Sequence, residues 1–239
     1  MTLAGKKMSF DELTALVQRG DLRHSKGDTL GALQDYERAL KEAPDDPMIW
    51  NNRGVSLSAL GRYDEAAGSY RKAIGIRPGY WMAWYNLGKA IHRKADRTAG
   101  DTEGYEEALK AYERALELNP SHTSTLNNKA VALRKLGRNA EALEVYDELI
   151  SIDPLYGHAW YNKGQLLTDM GLPEEARKCI EVAAGLDPEF ARAGRGGAGG
   201  AGGPGRRARK PAAPETDESA EEPDLRDVER PRGRRTDKA

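Results

Sequence analysis

The stretch YERALKEAP, Tyr36 to Pro44, returns as YRKAIGIRP from Tyr70, YERALELNP from Tyr112 and YDELISIDP from Tyr146. The prolines that close these stretches, Pro44, Pro78, Pro120 and Pro154, are followed by Pro188. Their intervals are 34, 42, 34 and 34 residues. A second segment precedes each of the last four of these prolines: WNNRGVSLSALG from Trp50, WYNLGKAIHRKA from Trp84, LNNKAVALRKLG from Leu126 and WYNKGQLLTDMG from Trp160. Self-similarity at a fixed period of this size marks stacked supersecondary units, not one globular core.

Each unit reads as two helices. In the second unit Trp50, Gly54 and Leu57 are spaced i, i+4, i+7 and share one helical face. Ala66, Tyr70 and Ala73 share a face of a second helix, Gly61 stops the first, and Pro78 ends the second. Small residues at Gly54 and Ala66 let the helices approach while the Tyr70 ring fills the space between them. On this reading Trp50 is a core residue whose truncation costs about 3–5 kcal/mol. Ser9 and Glu12 form a capping box for the first helix.

The pattern resembles the tetratricopeptide repeat, W-x2-L-G-x2-Y followed by A-x3-F and then A and P. Units numbered 1 to 34 start at Leu13, Pro47, Trp81, Thr123 and Gly157. Position 8 is Gly20, Gly54, Gly88, Ala130 and Gly164, and position 20 is Ala32, Ala66, Ala108, Ala142 and Ala176. The resemblance implies an all-α, right-handed α-solenoid of about five helix-turn-helix units. The expected divisions are an N-terminal segment 1–12, which includes the start of the first helix, then a solenoid 13–190 and a tail 191–239. The units are 13–46, 47–80, 81–122, 123–156 and 157–190, and the third carries an insertion at 95–104. That insertion reads as a tolerated loop or, alternatively, as a partner contact.

The resemblance also implies that the first helices line a concave wall. Position 6 lies about 200° round the helix from core position 4, and reads Gln18, Asn52, Asn86, Asn128 and Asn162. An amide can pair with both the C=O and the N–H of an extended peptide. The rank looks like the asparagine ladder of O-linked N-acetylglucosamine transferases. Tyr85, Tyr161, Lys89, His92, Arg93, Arg134 and Lys135 complete the candidate peptide-binding set, a basic centre suited to an acidic segment. The carboxylate clamp of heat-shock co-chaperones does not fit, because position 5 is never Lys and position 9 never Asn.

From residue 191 onward there is no aromatic residue, and Leu225 and Val228 are the only large aliphatics. Eight glycines fall between Gly194 and Gly205. The expectation here is a disordered Gly/Arg-rich then mixed-charge tail. The tail carries 12 basic and 9 acidic residues, a net of +3 within a chain whose net is −1, so the first 190 residues carry −4. This balance gives no reason to expect nucleic acid or an anionic membrane. No 18-residue apolar run is present, and the one cysteine, Cys179, fits a reducing, cytoplasmic setting.

The histidines lack metal-ligand spacing, and the glycine match at Gly194 to Gly199 has no strand before it. No enzyme, cofactor or metal is expected. The expected function is that of an interaction module or adaptor that binds an extended, acidic segment of another protein in the concave groove. Two alternatives stand beside it. One is a self-assembling scaffold through a poorly capped last unit, with Ile180, Ala183 and Leu186 partly exposed. The other is tail-mediated RNA binding.

Overall fold

The computed structural model describes residues 8–190, so the expectations for the first seven residues and for the tail from 191 lie outside it. Ten helices follow one another: α1 (Phe10–Ser25), α2 (Thr29–Glu42), α3 (Pro47–Ala59), α4 (Tyr63–Ile76) and α5 (Trp81–Ala95). The second half holds α6 (Thr102–Leu118), α7 (Thr123–Lys135), α8 (Asn139–Ile152), α9 (Gly157–Asp169) and α10 (Pro173–Leu186). Residues 188–190 are again helical, and no strand occurs among the described residues. Each odd-numbered helix packs on the even one after it, and each pair packs on the next, which makes a helical solenoid.

The turns inside the pairs have a local cause. Gly61 sits at φ +72°, its N–H donates to the Ser58 carbonyl at 2.9 Å, and the Arg62 N–H donates to the Leu57 carbonyl at 2.9 Å. This is a Schellman motif, which satisfies the end carbonyls of α3 and favours glycine at the left-handed position. Gly27, Gly137 and Gly171 repeat it. The Ser9–Glu12 capping box opens α1 with both of its reciprocal bonds.

Inside each of the first four pairs a tyrosine ring of the second helix sits on the small residue of the first, and in the fifth Ile180 takes that place over Gly164. A Cβ placed on Gly88 would lie 2.6 Å from Tyr112 Cε1 and 3.1 Å from the Ala108 carbonyl. Tyr70, Tyr112 and Tyr146 are fully buried by this packing. Trp50 departs from expectation. It is half-buried, and its indole N–H donates to the Pro44 carbonyl at 2.7 Å. Trp84 and Trp160 do the same to Pro78 and Pro154, both at 2.9 Å. These tryptophans pin the junction between pairs and pack against the core as half-buried side chains.

Successive pairs are joined by two apolar positions on each second helix. Leu33 and Leu40, Ala67 and Ile74, Leu109 and Leu116, and Leu143 and Ile150 meet the following pair. Each buried leucine or isoleucine contributes about 1.5–3 kcal/mol. On α10 the same positions hold Arg177 and Ala184, and Arg177 pairs with Glu174 and Glu181. The expected apolar flank of the last pair is therefore corrected in part. Ala183 is fully buried and Ile180 half-buried, while Leu186 lies exposed, as do Val182 on the same helix and Leu172 before it. Phe190 is buried too, stacked on Tyr161 with ring centroids 5.1 Å apart.

The insertion folds back onto the preceding pair. It lengthens α5 and α6 and replaces the usual three-residue turn with residues 96–101. The Arg97 guanidinium lies 4.4 Å from the Tyr63 ring centre and donates to the Gly61 carbonyl at 3.2 Å. Lys94 pairs with Asp64 at 2.5 Å. Between α4 and α6 this leaves a polar recess of about 210 Å³ that Arg71, Asp101 and Glu107 help to line.

Candidate functional site

Helical geometry sends position 6 of each first helix away from its own partner helix, toward the concave wall. There the neighbouring first helices come close enough to touch, α1 with α3, α3 with α5, α5 with α7 and α7 with α9. The amides expected to face open space are caught between them. Asn86 Nδ2 donates to Asn51 Oδ1 at 3.0 Å, and Asn162 Nδ2 donates to Asn127 Oδ1 at 3.0 Å. Asn52, Asn128 and Asn162 are buried, and only Asn86 is half-buried.

A two-residue code explains the pattern. An asparagine at position 5 accepts from the asparagine at position 6 of the next unit. Position 5 is Asn51 and Asn127 in the second and fourth units but Tyr85 and Tyr161 in the third and fifth. Upstream of Asn52 it is Val17, so the Asn52 amide donates instead to Asp21 at 3.1 Å. Upstream of Asn128 it is Tyr85, and both amide atoms of Asn128 are buried without a hydrogen-bond partner among the described residues.

The expected basic centre is also redistributed. His92 is buried inside its own helix pair, edge-on to Tyr105 at 5.3 Å between ring centres. Tyr85 and Tyr161 are buried, the first against His122 and the second against Phe190. Arg134 donates to Asp169 at 2.6 Å and to Gln165 at 3.1 Å, tying α7 to α9, while Lys135 lies 4.0 Å from Asp96. Lys89 leans over the Tyr85 ring at 5.9 Å, and both it and Arg93 are half-buried on α5.

Two carboxylates in the first pair titrate in opposite senses. Arg19, 2.6 Å from Asp35, holds that carboxyl below its ordinary value. Burial pushes Asp21 up, partly offset by the hydrogen bonds it accepts from Tyr36 and Asn52.

What remains open is uneven along the wall. Helix α7 is closed over its first three turns, with Ser124, Asn128 and Val131 buried at its concave positions, and Lys135 at its end is exposed. The concave positions of α1, α3 and α5 keep Gln18 and Ala59 exposed, and Met48, Val55, Met82, Asn86, Lys89 and Arg93 half-buried. The apolar members Met48, Val55 and Met82 escaped the reading of the sequence, although positions 2 and 9 of the register held the signal. Cys179 is buried, which raises its thiol pKa and makes it a packing residue. No cluster of metal-ligating side chains occurs among the described residues, and no helix among them is long and apolar enough to cross a membrane.

Residues 17–80 and 97–157 match the tetratricopeptide repeat family, and residues 133–195 match a second description of the same repeat. A curated relative, the small glutamine-rich tetratricopeptide repeat-containing protein 2 of Mycosarcoma maydis, is 26% identical over 125 residues. The match covers 52% of this chain and 33% of the relative. The heat-shock protein cognate co-chaperone sgt12 of Aspergillus fumigatus is 31% identical over 106 residues, 44% of this chain and 29% of the relative. The peroxisomal targeting signal receptor of Saccharomyces cerevisiae is 35% identical over 68 residues, 28% of this chain and 11% of the relative. The chain thus spans about a third or less of the length of these curated relatives. Among solved structures, MamA superposes with a TM-score of 0.63 at 25% identity, covering 72% of this chain and 96% of that one. YrrB, described as having an unusual peptide-binding site, superposes at 0.61 with 22% identity, over 76% of this chain and 90% of that one, a likeness of fold.

Proposed function

The chain belongs to the tetratricopeptide repeat family, and from that premise we propose that it is a non-catalytic adaptor binding an extended acidic segment of another protein. The open concave wall of α1, α3 and α5 is the docking surface. The observation that carries the reading is one stripe on α5. Asn86, Lys89 and Arg93, at spacings of three and four, lie half-buried on the same helical face. Beside them Met48, Val55 and Met82 offer apolar contact for alternate side chains of an extended guest.

The relatives include a heat-shock co-chaperone and a targeting-signal receptor, which supports protein recognition as the general task. The guest differs from the carboxyl-terminal tails that clamp-bearing co-chaperones hold, because position 5 here is Val17, Asn51, Tyr85, Asn127 and Tyr161. Against self-assembly through the last pair stand Arg177 and Ala184, which hold the positions that join successive pairs, although Val182 and Leu186 of α10 are exposed. The lone cysteine fits a cytoplasmic setting.

Fluorescence anisotropy with labelled twelve-residue peptides tests the reading. A Glu/Asp-rich peptide with interspersed leucines should bind, its Lys-rich counterpart should not, and affinity should fall with salt. Lys89→Gln with Arg93→Gln should weaken binding about 2- to 30-fold, the worth of two partly exposed ion pairs. Equal binding of the two peptides, or an unaffected variant, refutes it.

A further inference from the structure

We propose that the concave wall at α3 and α5 has a guest within its own chain, the acidic segment Glu215 to Glu229. This rests on the preceding reading of that wall as a site for an acidic segment. Four observations select this occupant.

The segment ETDESAEEPDLRDVE holds eight carboxylates against the single cation Arg226, and so complements Lys89 and Arg93. It also holds Leu225 and Val228, the only large aliphatic residues among the 49 that follow Phe190. Those two side chains match the half-buried apolar strip of Met48, Val55 and Met82. A purely solvating acidic block would need neither.

The chain also departs from a suitable place. Phe190 is stacked on Tyr161 and sets its ring edge-on to His158, 5.1 Å between centres. His158 occupies the concave position 2 of α9. Adjacent packed helices lie about 8–10 Å apart, so α5, two first helices away from α9, is about 20 Å distant. The 24 residues from 191 to 214 are rich in glycine, and a Gly-rich chain of that length has a root-mean-square reach of about 27 Å. Span and reach agree, which is the condition for a high effective concentration of the tethered guest. An external acidic partner must then displace the chain's own segment.

The test uses the full chain and a labelled synthetic peptide of residues 215–229 added in trans. A second full chain carries Glu221→Gln, Glu222→Gln, Asp224→Asn and Asp227→Asn, which leave every residue of the described fold unchanged. The neutralised chain should bind the peptide about tenfold tighter or more, as expected when a competitor at millimolar effective concentration is removed. Lys89→Gln with Arg93→Gln, placed in the neutralised chain and checked for an unchanged melting curve, should weaken that binding about 2- to 30-fold. If the original and neutralised chains bind with equal affinity, the intramolecular guest is overturned while the groove's taste for acidic segments stands. If neither chain binds this peptide, the inference falls, and the Glu/Asp peptide titration separately decides the underlying reading. A mass that rises with concentration in sedimentation, lost on neutralisation, overturns the intramolecular form in favour of exchange between copies.

Discussion

Replacing Asn128 with leucine should stabilise the protein, whereas the same replacement at Asn162 should destabilise it. Both side chains are buried at the same repeat position, and both substitutions exchange an amide for an isopropyl group of the same branching. The steric change is therefore shared, and the difference between the two variants isolates hydrogen bonding. Asn162 donates to Asn127 at 3.0 Å, so Asn162→Leu strands the Asn127 carbonyl oxygen in the interior. That loss costs about 1–3 kcal/mol. Asn128 has neither amide atom partnered among the described residues, so removing it recovers about 1–3 kcal/mol of desolvation, less any overpacking. The two variants should then differ by about 2–5 kcal/mol. For a domain of this size each kcal/mol moves the midpoint by about 2–4 °C, so their midpoints should lie roughly 5–15 °C apart. Thermal melts followed by circular dichroism at 222 nm measure this. Asn128→Leu melting as far below the parent as Asn162→Leu would refute the two-residue code, because it would mean that Asn128 is satisfied in the native state.

Three further outcomes follow from the packing and the charges. Gly88→Ala should cost about 1–3 kcal/mol in urea denaturation, since its methyl would lie 2.6 Å from the Tyr112 ring; Gly68→Ala, inside α4 with nothing within 4 Å, should instead stabilise by about 0.5–1 kcal/mol. Trp50→Phe should cost about 0.5–1.5 kcal/mol, the worth of the bond to the Pro44 carbonyl, and a loss on the scale of a deleted core ring would contradict the half-buried placement. The acid limb should carry two opposite signatures. The lowered Asp35 contributes stability that is present above the ordinary carboxylate value of 3.8 and lost as pH falls through its folded value. The raised Asp21 makes the fold relatively more stable as pH falls through its folded value toward 3.8. Urea titrations from pH 7 to 3 should show Asp35→Asn flattening the acid loss and Asp21→Asn steepening it.

Local chemistry carried much of this protein into view before any coordinates. The register of Tyr36, Tyr70, Tyr112 and Tyr146 against the small residue at position 8 is a contact within one hairpin. So are the turn at Gly61 and the cap at Ser9. All of these depend on neighbours close in sequence, where helical periodicity and backbone sterics suffice. The concave wall depends on residues about 35 apart. Periodicity showed that Asn86 and Asn162 face away from their own partner helices, but it could not show that Asn51 and Asn127 arrive from the preceding units to meet them. His92 turned inward toward Tyr105 and Tyr112 because it lies four residues after Gly88, on the face that meets its own second helix, as Ser58 meets Tyr70 in the preceding pair. How tightly the first helices crowd along the inner wall is set by the summed packing of every pair. Only that crowding decided which polar groups bond to each other and which stay within reach of a guest.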